Sequence, residues 1–115
     1  MKNSLIVCLV SIFVLSYSAN SYSEAGWSGE ATVVGIYSVD ENRSLIKLSN
    51  FANPHNCSII SGGDVIVNPT TQKSAFSMFL SAYMSGKPVN VYVKANCTTI
   101  WPNTSFADLH HVRLL

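Results

Sequence analysis

Residues 69–94 read PTTQKSAFSMFLSAYMSGKPVNVYVK, and the fold turns on how this stretch is read. Phe76, Phe79, Leu80 and Tyr83 recur at i, i+3, i+4 and i+7. That spacing puts them on one face of a helix and predicts that face as its core side. Gly86 and Pro88 end the helix, because glycine accepts a left-handed cap and proline cannot continue the hydrogen-bond ladder. Val89, Val91 and Val93 then alternate with Asn90, Tyr92 and Lys94, the pattern of a half-buried strand. Tyr92 is out of phase with its valine neighbours and should face away from them.

Weaker strands lie on both sides. Ala31–Val39 is β-rich and contains Gly35, which marks a bend or bulge. The polar loop Asp40–Arg43 leads to a second strand at Ser44–Asn50. Gly26–Glu30 reads as a turn or lead-in, and Phe51–Ser58 as a loop around its Asn-Pro pair. Ser61–Asp64 is a further turn, and Val65–Asn68 is a third strand, with Cys57–Ile60 as a short extra piece. After the fourth strand comes a long turn at Asn96–Ser105, then a last strand at Phe106–Leu115. The order is β-β-β-α-β-β. A helix between strands three and four of five predicts a mainly β, OB-fold-like Greek-key barrel. The alternative is an α+β sandwich with the helix on one face of an antiparallel sheet.

The N-terminus reads differently. Lys2 precedes an apolar run, Leu5–Leu15, which is followed by small residues. This is the pattern of a signal peptide over residues 1–23, with cleavage expected after Ser23. The run falls short of the ~20 residues a membrane-spanning helix needs. Residues 24–115 then form one domain, exported to the periplasm or secreted. The whole chain has seven Lys and Arg against six Asp and Glu, and loss of Lys2 makes the domain formally neutral. A nucleic-acid binder normally carries a basic surplus for phosphate contacts, so no nucleic-acid partner is expected. Nor does any basic amphipathic stretch point to a membrane surface.

Cleavage also removes Cys8 and leaves Cys57 and Cys97. An even pair in an exported chain reads as one disulfide. Neither CxxC nor CxxH spacing is present, so two free thiols or a zinc site are the weaker readings.

Catalytic signatures are sparse. No Gly-x-Ser-x-Gly elbow occurs, and Gly62-Gly63 lacks the Lys-Ser/Thr of a phosphate loop. Asp40-Glu41 reads as a solvated turn rather than a glycosidase pair. His110 and His111 adjoin on a strand, where neighbours point to opposite faces, so the two should not chelate one ion. A non-catalytic chain without cofactor or metal is the expectation.

Two features point to binding. Ser74, Ser77, Ser81 and Ser85 line up on the helix face opposite the aromatic stripe. Small, uncharged side chains there permit close approach of a neighbouring subunit; a plain solvent-facing helix is the other reading. Tyr37, Tyr92 and Trp101 are candidates for stacking on a sugar ring, or else for core and rim packing.

Several short motifs resemble the pentameric B subunits of subtilase cytotoxin and typhoid toxin. Gly86-Lys87-Pro88-Val89-Asn90-Val91 is similar to their Gly-Gln-Pro/Ser-Val-Arg-Ile. Trp27-Ser28-Gly29-Glu30 resembles their Trp-Thr-Gly-Asp opening, Gly35-Ile36-Tyr37-Ser38 their Gly-x-Tyr-Ser, and Ile100-Trp101-Pro102 their Trp-Thr-Tyr-Pro turn. The chain is also similar to short exported proteins of Gram-negative bacteria. The toxin resemblance implies an OB-fold, a ring pentamer with pore-lining helices, and binding of sialylated glycans. It implies Ser38 as a glycan ligand, with Tyr37 beside it and Lys94 matching a lysine after the helix. A tyrosine of those sites falls on Val93 here, and their closely spaced cysteine pair has no match in Cys57 and Cys97. The expected function is an exported glycan-binding module, and the alternative is a protein-binding, inhibitor-like module.

Overall fold

A computed structural model describes residues 26–115; the expected leader and its cleavage point lie outside the described residues. The protein is mainly β with one helix. Six strands form one mixed sheet: β1 Trp27–Ala31, β2 Val33–Asp40, β3 Arg43–Leu48, β4 Val65–Val67, β5 Val89–Thr98 and β6 Phe106–Leu114. The helix α1, Lys73–Ser85, lies between β4 and β5. The sheet order is β1-β5-β6-β4-β3-β2, and every pairing is antiparallel except β4 with β6.

The five expected strands are therefore six. The additional one is β1, at the stretch read from sequence as a turn. Its glycines explain that reading: Gly26 and Gly29 both have positive φ, and the register with β5 shifts between Trp27 and Glu30. Ser28 secures the irregular segment from inside. It is buried, its Oγ accepts from Val91 N at 3.1 Å, and the same hydroxyl donates to the Gly29 carbonyl at 2.9 Å. A short polar side chain thus satisfies a β5 amide that the bulge would leave unpaired. Gly26 packs so closely under Tyr92 that a Cβ there would lie 2.7 Å from the ring.

Other expectations hold with shifted ends. The loop between β2 and β3 shrinks to Glu41 and Asn42, and the register of β2 is broken beside Gly35. β4 has only three residues, all buried, and pairs parallel to β6, so its Val-Ile-Val has no solvent face. Of Cys57–Ile60, only Ile60 forms a bridge, to Gly63. β5 runs on to Thr98, past the expected end at Lys94.

The helix ends as expected. Gly86 has φ 72° and its N–H donates to the Ala82 carbonyl at 2.9 Å. Its buried face is rotated from the expected one. Phe79 and Ala82 are buried and Phe76 is half-buried, whereas Leu80 and Tyr83 are exposed. The periodicity placed the apolar stripe correctly on the helix, but the sheet covers only the side centred on Phe79 and Ala82. Gln72, just before the helix, ties it to the sheet: Oε1 accepts from Asn68 N at 2.8 Å and Nε2 donates to the Leu109 carbonyl at 3.1 Å.

The main core gathers Ile46, Leu48, Val65, Val67, Val91 and Leu109 around Phe79. A smaller cluster joins Leu45, Ile66 and Phe106 under Trp101 and Ile100. The Cys57–Cys97 disulfide is formed, with Cα atoms 5.6 Å apart, and it fastens the long loop 49–64 to the far half of β5.

Candidate functional site

The expected glycan-binding residues fall into two places. Tyr37 and Ser38 sit on β2, both exposed. The Tyr37 ring meets Trp101 edge-on, with centroids 5.7 Å apart and planes at 61°. Trp101 in turn meets Phe106 of the smaller core at 6.1 Å. The turn carrying Trp101 is fixed by Thr104, whose hydroxyl donates to the Trp101 carbonyl at 2.7 Å and accepts from the Trp101 amide at 3.3 Å. Asn103 makes the turn possible with φ 62°, a conformation asparagine tolerates. The result is an aromatic shelf rooted in the core, 48% exposed at Tyr37. Ser38 follows it in unbroken register opposite Ser44, so its hydroxyl faces the other side of the strand.

Lys94 stands elsewhere. It is exposed on β5, and β6, β4 and β3 separate β5 from β2 in the sheet. It lines a cavity of about 520 Å³ with His55, Tyr92 and His110, and another of about 400 Å³ with Asp108, Asn68 and Gln72. Neither cavity includes Tyr37 or Ser38. Strand order decides this separation, and no local motif carries it.

A second aromatic surface covers β1, β5 and β6. Tyr92 faces away from Val91 and Val93, as its phase requires, and is half-covered by neighbours. Trp27 meets it edge-on at 5.1 Å, and His111 stacks on it at 4.9 Å with planes 4° apart. Arg113 lies over the Trp27 ring, its Cζ 5.4 Å from the centroid. His110 contacts the same tyrosine at 5.6 Å.

The histidine geometry corrects the alternation argument. Tyr92 pairs with His111, but Val93 pairs with Leu109, so His110 is an extra residue in β6. This β-bulge cancels the strict alternation of faces. Both imidazoles emerge together, with Nδ1 atoms 2.7 Å apart. Adjacent histidines give no sequence sign of a bulge, so composition alone could not reveal the pair. Among the described residues, no group of three or more His, Cys, Asp or Glu is placed to hold a metal ion.

Ser74, Ser77, Ser81 and Ser85 are all exposed, as the helical wheel requires. They share the outward side with Leu80, Tyr83 and Met84, which is 86% exposed. No acidic residue occupies the first turn and no basic one the last. The outer helix face is thus apolar and hydroxylic, with Lys73 alone carrying charge at its start.

The carboxylates are mostly committed. Asp64 is fully buried: Oδ1 meets Lys47 Nζ at 3.1 Å, and Oδ2 accepts the Leu48 amide at 2.9 Å. Asp108 accepts from Thr98 Oγ1 at 2.8 Å and from Asn96. Asp40 accepts from the Arg43 guanidinium and from the Asn42 amide, and these bonds hold its carboxyl below its usual range. Among the described residues, no helix is long and apolar enough to cross a membrane. Comparison with known proteins finds no matching family model, no matching curated protein and no matching solved structure.

Proposed function

We propose that the chain is an exported, non-catalytic module that binds glycans, on a small barrel of the OB type. The observation that carries the reading is the aromatic shelf formed by exposed Tyr37 and half-buried Trp101. An aromatic ring suits the apolar C–H face of a sugar, and the Ser38 hydroxyl on the same strand is the ligand that the toxin resemblance implies. Shelf and serine belong to the motifs that resemble the toxin B subunits.

Pairing in the sheet supports the barrel. Only Thr32 separates β1 from β2. Its carbonyl accepts from Ser49 N at 2.9 Å, and its amide donates to Ser49 Oγ at 3.0 Å, so contact with the segment following β3 continues through the break. Taken as one bent strand, β1 and β2 would join the two edges of the sheet, leaving five strands around a core. The parallel β4–β6 pair fits a Greek-key path in which the helix spans the crossover.

The outer face of α1 supports self-association. Two copies can bring Leu80, Tyr83 and Met84 together across the small serines without setting like charges against each other. A ring such as the pentamer of the resembling subunits would bury this face.

A glycan array probed with the oxidised domain tests the reading. Binding that disappears in Ser38→Ala and in Tyr37→Ala is the expected result. Glycan binding unchanged in both variants refutes the site. A domain that binds no glycan but holds a protein ligand through the helix face returns the inhibitor-like alternative.

A further inference from the structure

We propose that His110 and His111 form a bidentate site for a divalent copper ion. The bulge in β6 places their Nδ1 atoms 2.7 Å apart on one exposed face. Nitrogen ligands bind such ions at about 2.0 Å, so two ligands at right angles stand about 2.8 Å apart and two at the tetrahedral angle about 3.3 Å apart. The observed gap matches the right-angled pair. Neighbouring corners of a tetragonal nitrogen site are the arrangement Cu(II) prefers, and Cu(II) also leads the divalent series in affinity for imidazole.

The pair is held before any ion arrives. Tyr92 stacks on His111, Trp27 meets the same ring edge-on at 5.3 Å, and His110 rests against Tyr92. Without an ion, one Nδ1–H donates to the other Nδ1. Binding replaces that proton: both rings carry their hydrogen on Nε2 and each Nδ1 gives a lone pair to the ion. The hydrogen that leaves Nδ1 is matched by one taken up at Nε2 of the same ring, so the neutral pair keeps both its hydrogens and binds one dication with no net proton release and no redox change.

The surroundings limit the affinity. Lys73 of α1 lines a cavity with both histidines, and Lys94 and Tyr92 of β5 and His55 of the 49–64 loop line another with His110. Arg113 lies two residues further along β6. No carboxylate lines either cavity. Two neutral nitrogens among cations should therefore bind in the micromolar range, with the remaining coordination positions left to water. Imidazolium has no free Nδ1 lone pair, so protons compete with the ion for the site and affinity falls in acid.

Trp27 supplies the readout, since bound Cu(II) would quench its fluorescence. The test titrates copper sulfate into the oxidised Trp101→Phe domain, which keeps Trp27 as its only tryptophan. We expect saturable one-to-one quenching, at least tenfold weaker in His110→Gln and in His111→Gln, and weaker again in acid than at neutral pH. His55→Gln serves as a surface-histidine control and should change the midpoint less than threefold. Both histidines are exposed, and unchanged thermal unfolding of the variants confirms that they fold. Quenching that survives in the double variant, or that does not saturate below about 1 mM copper, overturns the proposal.

Discussion

At the scale of single residues, the most consequential side chain is Asp64. It is the one acidic residue buried without access to solvent among those described, and it joins the loop before β4 to two points on β3. Removing it strands the Leu48 amide and the Lys47 ammonium. Asp64→Ala should cost about 3 kcal/mol in denaturant unfolding, and Asp64→Asn, which keeps an acceptor for Leu48, about 1 kcal/mol. Equal losses in the two variants would show that the charge, and not the acceptor, matters. Asp40 lies at the opposite extreme, exposed at the β2–β3 turn. Its depressed carboxyl means that its pair with Arg43 contributes above the ordinary aspartate range and is lost as pH falls through the lowered value. An NMR titration should place the Asp40 midpoint below 3.8, and Arg43→Gln should move it upward.

At the scale of elements, bulges do the positioning. A regular β6 would turn one histidine inward, against Leu109 and Phe79, where an imidazole would need a buried partner. The extra residue lets Leu109 and Val112 keep their inward contacts while both histidines stay wet. The helix shows the converse case, with a regular element whose apolar stripe is wider than the surface that receives it. Leu80, Tyr83 and Met84 remain outside and give the helix a face suited to a second copy. A Leu80→Lys, Met84→Glu double variant should unfold within about 1 kcal/mol of the parent, because both sites are exposed. Its mass by light scattering should be that of a monomer, where the parent is expected as an oligomer. A parent that is already monomeric at micromolar concentration would remove the ring reading.

At the scale of the whole molecule, the disulfide ties the irregular 49–64 segment to β5. The 49–64 segment contributes one isolated bridge and no strand, yet it carries His55, buried Cys57 and the approach to Asp64. The bond closes a loop of 40 residues, which chain-entropy reasoning values at about 4 kcal/mol. For a domain of this size that is a large part of the total stability. Replacing both cysteines with serine should lower unfolding free energy by about that amount, measured in urea without reductant. A loss under 1 kcal/mol would mean that the unfolded chain is already compact around this loop.

Local patterns in the sequence determined much of this architecture. The Phe76–Tyr83 spacing, Gly86 and the alternating valines specified the helix, its stop and the strand after it, because each signal depends on neighbours within one or two turns. The two-cysteine count likewise specified a staple, since only one intramolecular pairing was available in the domain. The tertiary structure decided what depends on distant partners. It made a strand of the glycine-bearing Trp27–Ala31 through Ser28 and β5, and it rotated the buried helix face toward Ala82 through the sheet beneath it. It set Lys94 apart from Tyr37 and Ser38 through strand order, and brought His110 to His111 through a one-residue slip against Tyr92 and Val93. Register and strand order are long-range pairings, and no stretch of sequence contains both members of such a pair.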